Sequence, residues 1–114
     1  ERDELVNLAS EMIDQRPNLP AAWREYLLAK VALFRGSPNN AIEHFKGALV
    51  IDPRNAAWRF ELVRLLEQLN RRDEALAEAT VCWQLEPGSK QYEEAVLRLE
   101  WLNSSAHHQL PSTE

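Results

Sequence analysis

Apolar residues recur along this chain at the spacing of one helix face, and this pattern occurs three times. Counted back from Pro17, Pro53 and Pro87, the positions twelve, eight, five and four residues earlier are all apolar. These offsets follow the 3.6-residue period of an α-helix. Proline disfavours the helical conformation of the residue before it. The pattern therefore predicts three equivalent amphipathic helices, each ending near its proline.

A second set of three helices alternates with the first. Each contains an aromatic residue followed one turn later by an aliphatic residue: Trp23 and Leu27, Trp58 and Leu62, Tyr92 and Val96. Together with the turn and capping residues, these patterns predict six helices, over 2–16, 20–35, 38–52, 55–70, 72–86 and 89–103. Asp73 and Ser89 are the predicted N-caps of the last two. Residues 104–114 have no apolar period and are predicted to form a flexible C-terminal tail.

The six helices are predicted to form repeated pairs. The tetrapeptide Ala-Ala-Trp-Arg at 21–24 recurs at 56–59, and the three prolines are 36 and 34 residues apart. A fixed period of about 20–50 residues is typical of proteins that stack one helical unit on the next. The pattern therefore predicts an all-α domain of antiparallel helix pairs over 2–103. The sequence begins on the second helix of a pair, which indicates a fragment of a longer protein.

Composition supports this picture but leaves the compartment unknown. Apolar residues make up 45% and charged residues 27% of the chain, as in ordinary soluble domains. No apolar run approaches the roughly 18 residues of a membrane span, and no signal-peptide pattern is present. A soluble protein, with the cytoplasm favoured, is expected, unless targeting signals lie outside the fragment. The single cysteine, Cys82, lies in an apolar helix column and is predicted to be buried and unreactive.

The sequence offers little for catalysis or cofactor binding. Three glycines leave none for a phosphate-binding loop. His44, His107 and His108 have no metal-ligand spacing with Cys82. The net charge of −5 disfavours nucleic acid as a partner. We therefore expect no enzyme activity in this fragment, no cofactor and no bound metal.

The repeated unit resembles the tetratricopeptide-repeat family, whose units of about 34 residues carry W-x2-L-G-x2-Y, then A-x3-F, then proline. Residues 56–89 have the family's unit length, and Ala41-x3-Phe45 with Pro53 match the second half of the preceding unit. The match is degenerate, because the tryptophans lie one residue early. Leu28, Val63 and Leu97 also stand where the family usually has a small residue. The resemblance implies a right-handed α-solenoid, and a related α-solenoid is the alternative.

In this family, the first helices of successive units line a concave groove that receives a peptide or a helix of a partner protein. The resemblance therefore implies a protein-interaction scaffold. Taking Trp58 and its equivalents as the core direction, a rotation of 100° per residue selects the groove face. The candidate groove residues are Glu25, Ala29, Phe60, Arg64, Glu67, Glu94, Arg98 and Trp101, with Ala22, Ala57, Gln68 and Gln91 flanking them. Aromatic residues and arginine are common in binding hot spots.

Several alternatives remain open at this point. Phe60 would otherwise pack against the first helix of the neighbouring unit, and Trp101 would otherwise cover the open end of the stack. The mixture of charges argues against a dedicated site for a terminal carboxylate and favours a mixed apolar and polar ligand segment. The fragment could also be an accessory segment of a larger enzyme, used for substrate recognition or dimerisation. Self-association through the solenoid ends is a further possibility.

Overall fold

The structure, a computed structural model, describes residues 2–16 and 18–108, and over those residues it consists of helices joined by turns. It has six helices and no strand in the described ranges, which confirms the predicted all-α fold. The helices are α1 (Arg2–Gln15), α2 (Ala21–Phe34), α3 (Pro38–Ile51), α4 (Ala56–Gln68), α5 (Arg72–Leu85) and α6 (Lys90–His108).

The predicted helix ends are within two residues of the observed ones, with one exception. Helix α6 continues to His108, so residues 104–108, which were predicted to belong to the tail, are helical. Neither glycine nor proline occurs in this stretch before Pro111, so the sequence contains no strong stop signal. Residues 109–114, the remainder of the predicted tail, lie outside the described residues.

The helix N-termini repeat their capping contacts. Asn55 Oδ1 accepts a hydrogen bond from the Trp58 backbone N–H (3.1 Å), and Ser89 Oγ accepts one from Tyr92 (3.2 Å). The two caps lie 34 residues apart, at equivalent positions before α4 and α6. Ser89 was predicted as a cap. The predicted cap Asp73 is wrong, because α5 already begins at Arg72.

Two helix C-termini also end in the same way. Gly36, after α2, has a backbone φ of 77°, and Asn70, after α4, has a φ of 63°. Beyond Asn70, the Arg71 N–H donates to the Leu66 carbonyl (2.9 Å) and satisfies a group that the helix end would leave unpaired. The left-handed conformation suits glycine, and asparagine tolerates it better than other residues with a Cβ.

This conformation gives a prediction for Asn70. We expect Asn70→Ala to lower the free energy of unfolding by about 1 kcal/mol, and Asn70→Gly to leave it unchanged or raise it slightly. Asn40→Ala is the matched control, because Asn40 is exposed and lies inside a helix, where alanine is the better former. Urea denaturation followed by circular dichroism would measure all three. If alanine lowered the free energy of unfolding equally at both positions, the left-handed conformation of Asn70 would not explain the loss.

The described residues fall into two compact units, which divide between Trp58 and Arg59. In the first unit, α2 packs on α1 and α3. Phe45 and Ile42 of α3 are completely buried, and Tyr26 stacks on Trp58 with ring centroids 4.7 Å apart and planes at 10°. The predicted core residue Trp23 is 48% exposed and meets Trp58 only edge-on, at 5.0 Å. The aromatic packing in this unit therefore centres on Tyr26 and Trp58.

The second unit has its own apolar core. Its largest completely buried side chains come from α4, α5 and α6: Leu62, Val63, Leu66, Cys82 and Leu99. An ion pair between Arg59 and Glu78 (2.7 Å) joins α4 to α5, with both side chains mostly buried. The burial of Cys82 confirms its prediction as a small core residue.

Candidate functional site

Helices α4 and α6 lie side by side in the second unit. Near their N-terminal ends, the rings of Phe60 and Tyr92 are 4.9 Å apart. Further along, Arg98 Nη2 donates to Glu67 Oε2 at 2.7 Å. Phe60 precedes Glu67 on α4, and their partners Tyr92 and Arg98 follow the same order on α6. The two helices therefore run in the same direction. This is the arrangement expected for the first helices of two successive repeats.

The side chains of these two helices border a groove of about 550 Å³. Its lining residues are Phe60, Arg64, Glu67, Gln68, Gln91, Glu94, Ala95 and Arg98. Five of the eight were candidate groove residues. Of the four predicted flanking residues, Gln68 and Gln91 line the groove, and Ala22 and Ala57 do not. Ala95 was missed, although it follows Gln91 by one helical turn and therefore shares its face. The structure thus brings together the candidates from α4 and α6, except for Trp101.

Phe60 is the floor of the groove and not a free aromatic ring. Its side chain is only 9% exposed, because it packs against Tyr92 on α6. Phe60 thus lines the groove and also makes the contact with the neighbouring first helix that was the alternative placement. The Arg64 guanidinium carbon lies 5.2 Å from the centroid of the same ring, within cation–π distance. Phe60 therefore supports Arg64 at the groove surface.

The groove carries both signs of charge. Arg98 and Glu67 neutralise each other in an ion pair that links the two helices. Arg64 and Glu94 are both exposed, and within the described residues neither forms an ion pair. Gln68 and Gln91 are exposed amides that can both donate and accept hydrogen bonds. The groove can therefore bind charged groups of either sign on a ligand, and its two amides can form hydrogen bonds with the ligand's peptide backbone.

The two candidates on α2 do not lie on an open surface. Ala29 is completely buried. Glu25 turns towards α3, where its Oε1 accepts a hydrogen bond from His44 Nδ1 (2.9 Å) and lies 3.0 Å from the position of a Cβ at Gly47. The prediction of an open groove position is wrong for both residues. The reason is that the half-exposed Trp23 does not mark the core direction of α2.

Trp101, the remaining candidate, is exposed but lies outside the groove. It is 66% exposed, and Leu97, one turn earlier on the same face of α6, is 52% exposed. Neither residue lines the α4–α6 groove. Trp101 follows Glu94 by seven residues and therefore shares its helix face. The contact of Arg98 with Glu67, however, places Trp101 beside residue 70, beyond the end of α4 at Gln68. Contrary to the prediction, Trp101 therefore does not line the groove.

The titratable core residues near α6 are held in their neutral forms. Burial raises the pKa of the Cys82 thiol from 9.0 to about 12; Arg59 lowers it, and Glu78 and Glu86 add to the increase. Burial also raises the pKa of Tyr92, with Glu86 contributing in the same direction. A thiol with such a pKa is a poor nucleophile at neutral pH. Cys82 therefore contributes packing to this unit.

Two properties of the described residues bear on the class of site. Across residues 2–16 and 18–108, no group of three or more histidine, cysteine, aspartate or glutamate side chains could hold a metal ion. Within the same part of the chain, no helix is both long enough and apolar enough to cross a bilayer.

Comparison with known proteins identifies the repeat. The family model described as Tetratricopeptide repeat matches residues 32–99, more than half of the chain, and this range includes every residue that lines the groove. No curated protein matches the sequence. Repeats of this family generally mediate protein–protein interactions and are typically non-catalytic. From the family match, the paired helices and the 34-residue spacing of the caps, we conclude that the chain belongs to the tetratricopeptide-repeat family.

Proposed function

We propose that this chain is a protein-interaction module and that the groove between α4 and α6 binds a segment of a partner protein. The observation that supports this proposal is the convergence of side chains from two successive first helices around one groove. The groove has an aromatic floor at Phe60 and an arginine, Arg64, held over it. A role within a larger enzyme would use the same surface, because substrate recognition also requires a bound segment.

The chemistry of the groove suits a segment of polypeptide. Small binding sites are commonly clefts of about 300–1,000 Å³ that combine apolar walls with a few placed polar groups, and this groove has that size. Phe60 and Ala95 supply apolar surface, and the two glutamines can pair with backbone amides. Arginine and aromatic residues are the types that most often dominate binding energy.

A photo-crosslinking experiment would test the proposal. A photoreactive amino acid is placed at Gln68 or Gln91 in the full-length protein, and at the exposed Glu43 on α3 as control. Crosslinking in cells and mass spectrometry then identify the partner segment. We expect adducts to the same segment from both groove positions and none from the control position. Equal yields from all three positions, or no adduct from the groove, would overturn the proposal.

The affinity of the identified segment gives the quantitative part of the test. We expect Arg64→Ala to weaken binding about tenfold or more, which corresponds to about 1.4 kcal/mol. Arg64 is exposed, so the fold should tolerate this change. Arg54→Ala removes the same charge from an exposed turn, and we expect it to leave the affinity unchanged. Calorimetric titration would compare both variants, with helicity checked by circular dichroism.

A further inference from the structure

We infer that the segment bound in the groove carries one acidic side chain, which contacts Arg64, and one basic side chain, which contacts Glu94. This inference rests on the proposed function, because it describes the ligand of the same groove. It follows from the charges that the protein leaves uncompensated, from their positions on the two helices and from the length of the groove.

The charges of the groove fall into two classes. Glu67 and Arg98 compensate each other at 2.7 Å, so neither needs a ligand of opposite charge. Arg64 and Glu94 line the groove and are exposed, and no described residue forms an ion pair with either. The surface offered to a ligand therefore has one free positive and one free negative group.

The two free charges lie at nearly the same level of the groove. Tyr92 meets Phe60 and Arg98 meets Glu67, so residues of α6 lie beside residues of α4 that are 32 and 31 positions earlier. By this register, Arg64 lies beside residues 95–96, only one or two positions beyond Glu94. At about 1.5 Å of rise per residue, their levels differ by roughly 1.5–3 Å along the helix axes. The two charges therefore face the same short stretch of a bound chain.

The length of the groove limits the spacing of the ligand's charges. Glu67 lies seven positions after Phe60, which corresponds to about 10 Å along the helix. An extended chain advances about 3.3 Å per residue, so about three residues fit beside this wall. The acidic and basic side chains of the ligand should therefore be neighbours or lie one or two positions apart. An apolar side chain beside them would contact Phe60 and Ala95.

The same charges disfavour ligands of a single sign. An acidic segment would gain a contact with Arg64 but place its carboxylates near Glu94, and a basic segment would meet the reverse difficulty. Like charges brought together at an interface weaken the wrong complex and so contribute to specificity. A segment with both charges satisfies both groups and avoids each repulsion.

Selection from a random peptide library displayed on phage would test this inference on the full chain. The library is selected on the wild type, on Arg64→Glu and on Glu94→Arg. Both positions are exposed, so we expect both variants to fold, which circular dichroism would check. For the wild type, we expect enriched peptides with an acidic and a basic residue within about three positions. We expect Arg64→Glu to enrich peptides with two basic residues, and Glu94→Arg peptides with two acidic residues.

Two control variants change the protein's charge by the same amounts outside the groove. Arg54→Glu matches Arg64→Glu, and Glu100→Arg, on the exposed side of α6, matches Glu94→Arg. We expect both controls to enrich the wild-type motif. A control that changes the motif as strongly as its groove partner would show that overall charge decides selection, and it would overturn the inference.

The outcomes separate this inference from the proposed function. Peptides whose binding is lost in Arg64→Ala but whose sequences lack the paired charges would overturn the inference and support the groove as a binding site. The same peptides enriched on wild type, Arg64→Glu and Glu94→Arg would also overturn the inference. If no peptide is enriched on the wild type and the crosslinking experiment gives no adduct, both proposals are wrong.

Discussion

Replacing Leu99 with alanine is expected to lower the free energy of unfolding by about 2–5 kcal/mol. Leu99 on α6 is completely buried, so alanine would remove apolar contacts and leave a cavity that the surrounding helices fill only in part. A small domain has only about 5–15 kcal/mol of stability in total, so the loss should be easy to measure. Denaturant unfolding followed at the helical circular dichroism signal would report it.

Leu97→Ala is the matched control for this prediction. Leu97 has the same side chain on the same helix two positions earlier, but it is 52% exposed. We expect its replacement to change the free energy of unfolding by no more than about 0.5 kcal/mol. If the two variants lose similar stability, Leu97 is covered in solution and the assignment of the core face of α6 is wrong.

The thiol of Cys82 is expected to react at least about 10³ times more slowly in the native protein than in the unfolded chain. The side chain is completely buried, so a thiol reagent reaches it only through unfolding or a large opening. Labelling at about pH 8, with and without guanidinium chloride, would measure the ratio. A cysteine introduced at the exposed Ser104 in a Cys82→Ala background should react rapidly in the folded state. Rapid native labelling of Cys82 would contradict its burial.

The same burial makes stability depend on alkaline pH. The pKa of Cys82 is raised from 9.0 to about 12 in the folded chain, so the folded state holds its proton after the unfolded state has lost it. Below pH 9.0, both states are protonated and the contribution to stability is fully present. As the pH rises from 9.0 towards about 12, this contribution is lost. We expect Cys82→Ala to show a shallower loss of stability over this range, and equal slopes would contradict the pKa shift.

The helices and their pairing follow from the sequence because local physics fixes them. The 3.6-residue apolar period defines each amphipathic face, and the prolines and capping residues fix the ends to within about two residues. Ser89 could be predicted as a cap because serine before a helix has a specific local role. Asn70 was not predicted at its C-terminus, since asparagine is a weaker signal than glycine for the left-handed conformation. The end of α6 was missed because the sequence contains no strong stop signal there.

Tertiary packing decided which face of each helix is buried and which is exposed. The rotation rule, applied to α4 and α6, selected five residues that line the groove and Trp101, which does not. Applied to α2, it selected Ala29, which is completely buried. The rule takes the tryptophan as the core direction. Trp58 is buried, whereas Trp23 is half exposed and meets Trp58 only edge-on. Periodicity shows which residues share a face of a helix, but the packing of the neighbouring helices determines which face is buried.

The groove also combines properties that the sequence determines with contacts that only the tertiary structure determines. The sequence by itself determined that this is an all-α repeat protein and which residues share a face on each helix, because those properties depend on local spacing. Only the tertiary structure decided that Phe60 packs on Tyr92 and that Glu67 pairs with Arg98. Those contacts join residues about thirty positions apart and depend on the register of two parallel helices, which no local pattern encodes. They leave Arg64 and Glu94 as the free charges of the groove.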